Sequence, residues 1–364
     1  MSDNPYKMLA QRLDELPNGF PATEDGSEIR ILEKLFTLEE AKLAVYLRIT
    51  LEPVEQIVER LPEDYEGRDR RAVKKMLKGM VRKGLIKADR IDKGIGYGLL
   101  PFVVGIYEMQ VGRIDEEFAQ LFEDYYYQAF GQMVNIQPTF HRVVPIDEAV
   151  RMDMEIRPHE TAKEIVDQAK AWGVMDCICR KQKELIGDPC GHPIETCMIF
   201  SPVPGSFDHS SVIRALTHDE AMDVLYMAED AGLVHTVSNN QKDTYYICNC
   251  CTCSCGLLRG MADLGIANVV ASSAFINTVD PDLCIGCGVC SDYCQFYALE
   301  LVDGLIEVDQ IKCVGCGVCV NACPEDALSL VRRPPDEVMP VAESEEEWME
   351  ERAQARGIDI NIVK

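Results

Sequence analysis

The sequence predicts an α+β protein of several domains, and three observations carry that prediction. The first third pairs helix-period apolar stripes with two short strands punctuated by glycine. The middle third sets two further helices among closely spaced cysteines. A compact motif of four cysteines then occurs twice near the C-terminal end. A chain of 364 residues suffices for roughly two or three such units.

In chain order, Thr37 followed by Glu40 is a capping box, predicting a helix from there to about Arg48. Pro53 suits the first turn of a second helix in "PVEQIVERL". Asp69 can cap a third, along which Val73, Met76, Leu77, Met80 and Val81 form one apolar stripe. Arg71, Lys74, Lys75, Lys78 and Arg82 lie on the opposite face. "KGLIKADRIDKGIGYGLL" then reads as strand, turn and strand. Three helices followed by a hairpin, over 27–112, resemble a winged helix-turn-helix domain.

Residues 113–157, with "EEFAQLFEDYYYQAFG", read as a connecting helix and loop, the triple tyrosine Tyr125–Tyr127 serving helix packing. Residues 158–275 read as a cysteine-rich α/β central domain. One of its helices is expected from Pro158 to near Trp172, stopped by Gly173. The other opens at the capping box Thr217–Glu220 and closes at Gly232. Residues 276–332 hold the repeated motif, and 333–364 form an acidic tail with a helix near Glu345–Arg356.

Composition limits the function classes. No stretch approaches the roughly 18 apolar residues that cross a bilayer, and "MSDNPYKMLAQRLDELP" lacks the basic-then-apolar order of a secretory signal. A soluble, cytoplasmic protein without membrane insertion is expected. In a reducing compartment, seventeen cysteines point to metal or redox sites rather than disulfides. The net charge of −25 opposes general affinity for nucleic acid. That charge is uneven: residues 68–93 carry eleven Lys/Arg against three Asp/Glu, a local +8 that leaves −33 elsewhere.

The repeat reads "CIGCGVCSDYC" at Cys284, Cys287, Cys290 and Cys294, then "CVGCGVCVNACP" at Cys313, Cys316, Cys319 and Cys323. Both are C-x2-C-x2-C-x3-C. Such short spacers wrap thiolates around a cubane, and Gly286, Gly288, Gly315 and Gly317 let the backbone come close. Zinc knuckles also use C-x2-C, but not as paired triplets with a fourth cysteine. Over roughly 55 residues the chain resembles the bacterial two-cluster ferredoxins, in which the fourth cysteine of each run ligates the other cluster. The resemblance implies one 4Fe–4S centre on Cys284, Cys287, Cys290 and Cys323, and a second on Cys313, Cys316, Cys319 and Cys294. The family usually has proline after the fourth cysteine, as at Pro324, whereas Gln295 follows Cys294. Gln295 keeps a backbone N–H that, if aimed at cluster sulfur, would raise that centre's potential.

Nine cysteines remain. Five fall in "YICNCCTCSCGLLRG": Cys248, Cys250, Cys251, Cys253 and Cys255. The others, Cys177, Cys179, Cys190 and Cys197, lie in "DCICRKQKELIGDPCGHPIETC". In extended chain, residues two apart project to one side about 7 Å apart, so Cys177 with Cys179, and Cys251 with Cys253 and Cys255, can each address one centre. Arg180 and Lys181 add compensating charge. We divide the nine into Cys177, Cys179, Cys190 and Cys197 on one side and Cys250, Cys251, Cys253 and Cys255 on the other, with Cys248 spare and exchange between sets left open. One or two further 4Fe–4S clusters are expected, against a structural zinc or buried structural thiols. The whole resembles multi-cluster ferredoxin-type proteins of anaerobic bacteria and archaea, in which a "CxCR…C…C" element and an "NCC" element precede the two-cluster domain.

Among His141, His159, His192, His209, His218 and His235, His192 sits between Cys190 and Cys197 and is a candidate ligand, with a loop hydrogen bond its expected role. "GDPCGHP" and "GIGYG" lack the strand–GxGxxG–helix context of a nucleotide site. With no catalytic residues assigned, the resemblance implies a polyferredoxin-like electron-transfer subunit rather than a self-contained enzyme. It would relay single electrons between a low-potential donor and a partner oxidoreductase, such as a flavoprotein subunit. A redox-responsive winged-helix transcription regulator that binds DNA is the alternative.

Overall fold

The computed structural model describes residues 4–154, 160–266 and 269–364. They group into two compact units. The first runs to Gln137 and also takes in Leu185–Gly187 and Met349–Lys364; the second comprises Pro138–Glu184 and Asp188–Trp348. Among the described residues no helix is long and apolar enough to cross a membrane.

The first unit begins with α1 (Pro5–Asp14), α2 (Ser27–Leu35) and α3 (Leu38–Ala44). Thr37 accepts from Glu40 N–H and Glu40 accepts from Thr37 N–H, so the expected capping box opens α3. Then follow β1 (Glu52–Pro53), α4 (Val54–Arg60), α5 (Arg70–Arg82) and the hairpin of β2 (Ile86–Ile91) and β3 (Gly94–Leu99), in sheet order β1-β3-β2. Pro53 occupies the N-cap of α4 rather than its first turn. Asp69 caps α5 by accepting from Ala72 N–H at 2.8 Å. Val73, Leu77 and Met80 are buried beneath α5, and its six cations, Arg70 with the five expected, are exposed.

Residues 113–137 are not a connector. In α6 (Glu116–Tyr125), Phe118, Phe122 and Tyr125 share one face and are all buried. Phe122 stacks on Tyr107 with ring centroids 3.8 Å apart, and a short α7 (Gly131–Val134) adds Met133 and Val134 to the core. Tyr125 and Tyr126 are packed, whereas Tyr127 is exposed. The expected connector therefore divides, with its helix in the first unit and residues from Pro138 onward in the second.

The second unit is built on a six-stranded sheet with order β4-β8-β9-β6-β5-β7. In chain order its elements are β4 (His141–Val143), α8 (Ala162–Gln168), β5 (Ala171–Asp176), α9 (Ile178–Leu185), β6 (Glu195–Ser201), β7 (Arg214–Leu216), α10 (His218–Asp230), β8 (Val234–Ser238) and β9 (Tyr246–Cys250). Every pairing is antiparallel, so the domain is α+β and not the α/β type expected. One face packs on α8 and α10 through Ile165, Val166, Leu225, Met198, Phe200 and Ile247. The Thr217–Glu220 capping box is formed, and Gly232 with φ 72° follows α10 as expected.

The helix expected to reach Trp172 ends at Gln168, and its expected start at Pro158 lies outside the described residues. Trp172 and Gly173 are in β5, paired with both β6 and β7. Gly173 is required there because a Cβ would collide with the Ile213 side chain.

The chain continues through α11 (Gly260–Asp263), β10 (Phe275–Val279), α12 (Val289–Tyr293), the hairpin β11 (Leu299–Val302) and β12 (Leu305–Val308), α13 (Val318–Asn321) and β13 (Leu328–Arg332). β10 pairs antiparallel with β13, joining the two ends of the repeated segment.

The acidic segment then enters α14 (Glu345–Ala355), and residues 349–364 are part of the first unit rather than a loose tail. Arg352 is fully buried and donates to the carbonyls of Pro17, Ile136 and Met133 at 3.0, 2.8 and 2.6 Å. Ile49 N–H donates to Val363 O at 2.8 Å. Arg352→Ala strands three buried carbonyls, so a loss of about 3 kcal/mol is expected from urea unfolding, with iron content unchanged.

Candidate metal centres

In the repeated segment each cysteine triplet is a loop that feeds a short helix. Gly288 and Gly317 take φ of 79° and 84° at the N-caps of α12 and α13, turning Cys290 and Cys319 inward. Gly286 and Gly315 also have positive φ; a Cβ there would strike the carbonyl oxygens of Gly304 and Phe275. The halves match in detail. Ala298 N–H donates to Cys294 Sγ at 3.3 Å and Ala327 N–H to Cys323 Sγ at 3.4 Å.

The fold carries the last cysteine of each run to the other triplet. Cys294 lies by Cys313, Cys316 and Cys319, while Cys290 lies by Cys323 and Cys287. Cys290, Cys313 and Cys319 are buried and Cys287 is exposed. Burial pushes the Cys316 thiol up to about 12, an opposition to the thiolate that a bound metal overcomes. Asn277 Nδ2 donates to Cys319 Sγ at 3.1 Å. Of the N–H groups after Cys294, that of Ala298 donates to its sulfur at 3.3 Å and that of Tyr297 to its carbonyl oxygen at 3.2 Å. Gln295 acts through its side chain: Oε1 accepts from Thr252 N–H at 2.7 Å, and Nε2 donates to Gly232 O.

The nine central cysteines are regrouped relative to the sequence division. Cys197, Cys248 and Cys250 occupy neighbouring strands β6 and β9 at positions alternating with Met198 and Ile247, which face the helices. An irregularity between Met175 and Asp176 ends the regular register of β5 just before Cys177. Cys177 is within hydrogen-bond reach of Cys179 and Cys197, Cys197 of Cys248, Cys248 of Cys250, Cys250 of Cys255, and Cys255 of Cys179. The six thiols close a ring. Cys248, expected to be spare, is a member, and Cys190 is not.

Cys190 instead joins Cys251, Cys253 and His192 in a second group whose ligand atoms all lie within 4.8 Å of one another. The hydrogen bond expected of His192 is present, and it runs to a thiol: Nδ1 is 3.7 Å from Cys253 Sγ. The extended spacing expected for Cys251–Cys255 gives way to a helical turn, with Cys255 N–H donating to Cys251 O at 3.0 Å. Cys177 likewise starts a helical turn, accepting from Lys181 N–H at 3.0 Å. These turns separate neighbours that an extended chain would have kept together.

Arg180 lies beside both groups. It is buried and donates to Pro193 O at 2.9 Å, Thr196 Oγ1 at 2.7 Å and Asn249 O at 2.7 Å. Its charge acts on Cys177 and Cys250 of the ring and on Cys251 of the second group. Hydrogen bonds from Cys179 and Cys197 hold the Cys177 thiol well below its ordinary value. Those from Cys248 and Cys255 bring Cys250 down to about 6. Lys181, expected to share this work, pairs with Asp176 at 2.8 Å. Behind the strands, buried His235 bridges Asn249 Oδ1 at 2.6 Å and Glu229 Oε1 at 3.2 Å, fixing β9 between Cys248 and Cys250.

Residues 283–327 match the 4Fe-4S dicluster domain family. A search of curated proteins and of solved structures finds no match to the chain. The matched segment makes the C-terminal part of the second unit a ferredoxin-type domain of the 4Fe–4S class, in a chain suited to iron–sulfur electron transfer.

Proposed function

We propose that the protein is a polyferredoxin-like electron-transfer subunit, relaying single electrons between a low-potential donor and a partner oxidoreductase. Two 4Fe–4S clusters fit the crossed sets Cys284, Cys287, Cys290, Cys323 and Cys313, Cys316, Cys319, Cys294. A third iron–sulfur centre fits the ring of Cys177, Cys179, Cys197, Cys248, Cys250 and Cys255. The observation that carries this reading is the Gln295 side chain. It joins the residue after Cys294 to the backbone N–H of Thr252, between Cys251 and Cys253, at 2.7 Å. Both cysteine systems therefore share one compact unit and one hydrogen-bonded link. The clusters would supply one-electron redox chemistry; the chain tunes it through burial and N–H···S bonds such as those to Cys294 and Cys323.

The test is iron and acid-labile sulfide per chain after anaerobic purification, with EPR on the reduced protein. About twelve irons or more support the three-centre relay, and about eight restrict it to the C-terminal domain.

Electrons would cross to the partner at Cys287, which is exposed and flanked in sequence by exposed Leu283, Ile285 and Val289. Ile285 is 65% exposed, an apolar contact for a donor whose basic rim meets the protein's net charge of −25. Ile285→Asp is expected to slow reduction by a flavoprotein donor about tenfold in stopped flow, with iron content unchanged.

The helix–strand–helix–helix–hairpin order of the first unit supports a winged-helix reading, here as a protein-docking module. The exposed cations of α5 favour a second reading, DNA binding by a redox-responsive regulator. Salt-sensitive binding to one DNA site, lost in Lys74→Glu with Lys78→Glu, would select the second.

A further inference from the structure

We infer that Cys190, His192, Cys251 and Cys253 form a site for a single tetrahedral metal ion of the zinc class, distinct from every iron–sulfur centre of the protein. The dimensions decide between an ion and a cluster. Four donors around one Zn²⁺, with Zn–S of about 2.3 Å and Zn–N of about 2.0–2.1 Å, sit about 3.5–3.8 Å from one another. In the protein all four ligand atoms lie within 4.8 Å of one another, and Cys253 Sγ is 3.7 Å from His192 Nδ1. A cubane has an iron at each of four corners and drives its terminal thiolates farther apart than a single ion does. This site is too tight for one.

The donor chemistry agrees. Three sulfurs and one imidazole nitrogen are a closed structural set for a borderline-soft d¹⁰ ion and leave no position for substrate. The ligands come as C-x-H from the loop after α9 and C-x-C from the turn after β9, so neither segment can hold the ion alone. Cys251 is buried and Cys253 exposed, giving the ion a route in from solvent. Three thiolates on a divalent ion leave one negative charge, and the Arg180 guanidinium acts on Cys251 from the buried side.

The ion would act as a pin. It would fix the turn that runs from Cys250 to Cys255, both members of the six-thiol ring. It would also hold Thr252 N–H against Gln295, so that the link to the ferredoxin-type domain keeps its geometry.

The test uses the full chain, purified anaerobically, with zinc, iron and sulfide measured together and X-ray absorption at the zinc edge. About one zinc per chain is expected, with three sulfurs at about 2.3 Å and one nitrogen at about 2.0–2.1 Å. In His192→Ala and Cys253→Ala zinc should fall to near zero, while EPR signals of the C-terminal clusters persist. His192→Cys keeps four ligands and should retain zinc with a four-sulfur spectrum, a readout that survives if the alanine variants fail to fold. Absence of zinc from the wild type, a zinc-edge spectrum in His192→Cys identical to that of the wild type, or iron and sulfide lost in its place from Cys253→Ala would each overturn the assignment. Iron content of the wild type tests the three-centre relay separately, so either conclusion can fail alone.

Discussion

Cys294→Ala is expected to abolish the cluster gathered by Cys313, Cys316 and Cys319 while sparing the one on its own triplet, Cys284, Cys287 and Cys290. Cys294 lies beside the second triplet because α12 ends at Tyr293 and the chain there turns away from the loop that holds its own neighbours. Loss of one thiolate leaves an iron corner uncoordinated in a buried site, where Cys319 is held and burial opposes any free thiolate. Iron and sulfide should each fall by about four per chain. In the reduced protein, the spin coupling between two neighbouring cubanes should disappear from the EPR spectrum. Cys323→Ala should give the mirror result, sparing the second cluster. Loss of the cluster on Cys284, Cys287 and Cys290 in Cys294→Ala would contradict the crossed assignment.

Arg180→Met should remove the iron–sulfur centre proposed for the central thiols and destabilise the second unit by about 3–5 kcal/mol. Methionine matches the length of the stem but cannot donate, so Pro193 O, Thr196 Oγ1 and Asn249 O all lose a buried partner. It also withdraws a guanidinium whose charge acts on Cys177, Cys251 and Cys250 together. Thiolates crowded without a cation protonate, and protonated thiols release metal. Sulfide analysis with urea titration should show both effects. Arg180→Lys keeps the charge without the planar fork and is expected to recover part of the iron but not the full stability. Unaltered sulfide in Arg180→Met would show that the ring does not depend on this cation.

Local rules carried much of the sequence reading. Capping boxes at Thr37 and Thr217 open helices where expected because N-cap chemistry needs only the four residues involved. The crossed grouping of the C-terminal cysteines was what the resemblance to two-cluster ferredoxins implied, not something the spacing alone could decide. The central thiols were harder, since their partition depends on tertiary geometry. Cys250 and Cys251 are adjacent in sequence yet serve different groups, because β9 ends at Cys250 and a helical turn begins at Cys251. Membership of Cys248 was within reach: it alternates with Cys250 along β9, the period that puts both on one face. His192 carried a weaker signal, its place between Cys190 and Cys197 in a loop of glycine and proline, where a hydrogen bond was the expected role over ligation. The role of residues 349–364 was hidden by charge, since Arg352 reads as a solvated residue in an acidic stretch until its three carbonyl partners are seen.

The return of residues 349–364 to the first unit sets an order of assembly during translation. Every cysteine, through Cys323, leaves the ribosome before Met349 does. Nascent chains can thus acquire their metals while the carbonyls of Pro17, Met133 and Ile136 still await Arg352. A chain interrupted between Cys323 and Met349 would carry a full complement of ligands on an unfinished first unit. Its N-terminal helices would keep part of their apolar surface open to proteases, so the cell could dispose of an incomplete copy that already holds iron.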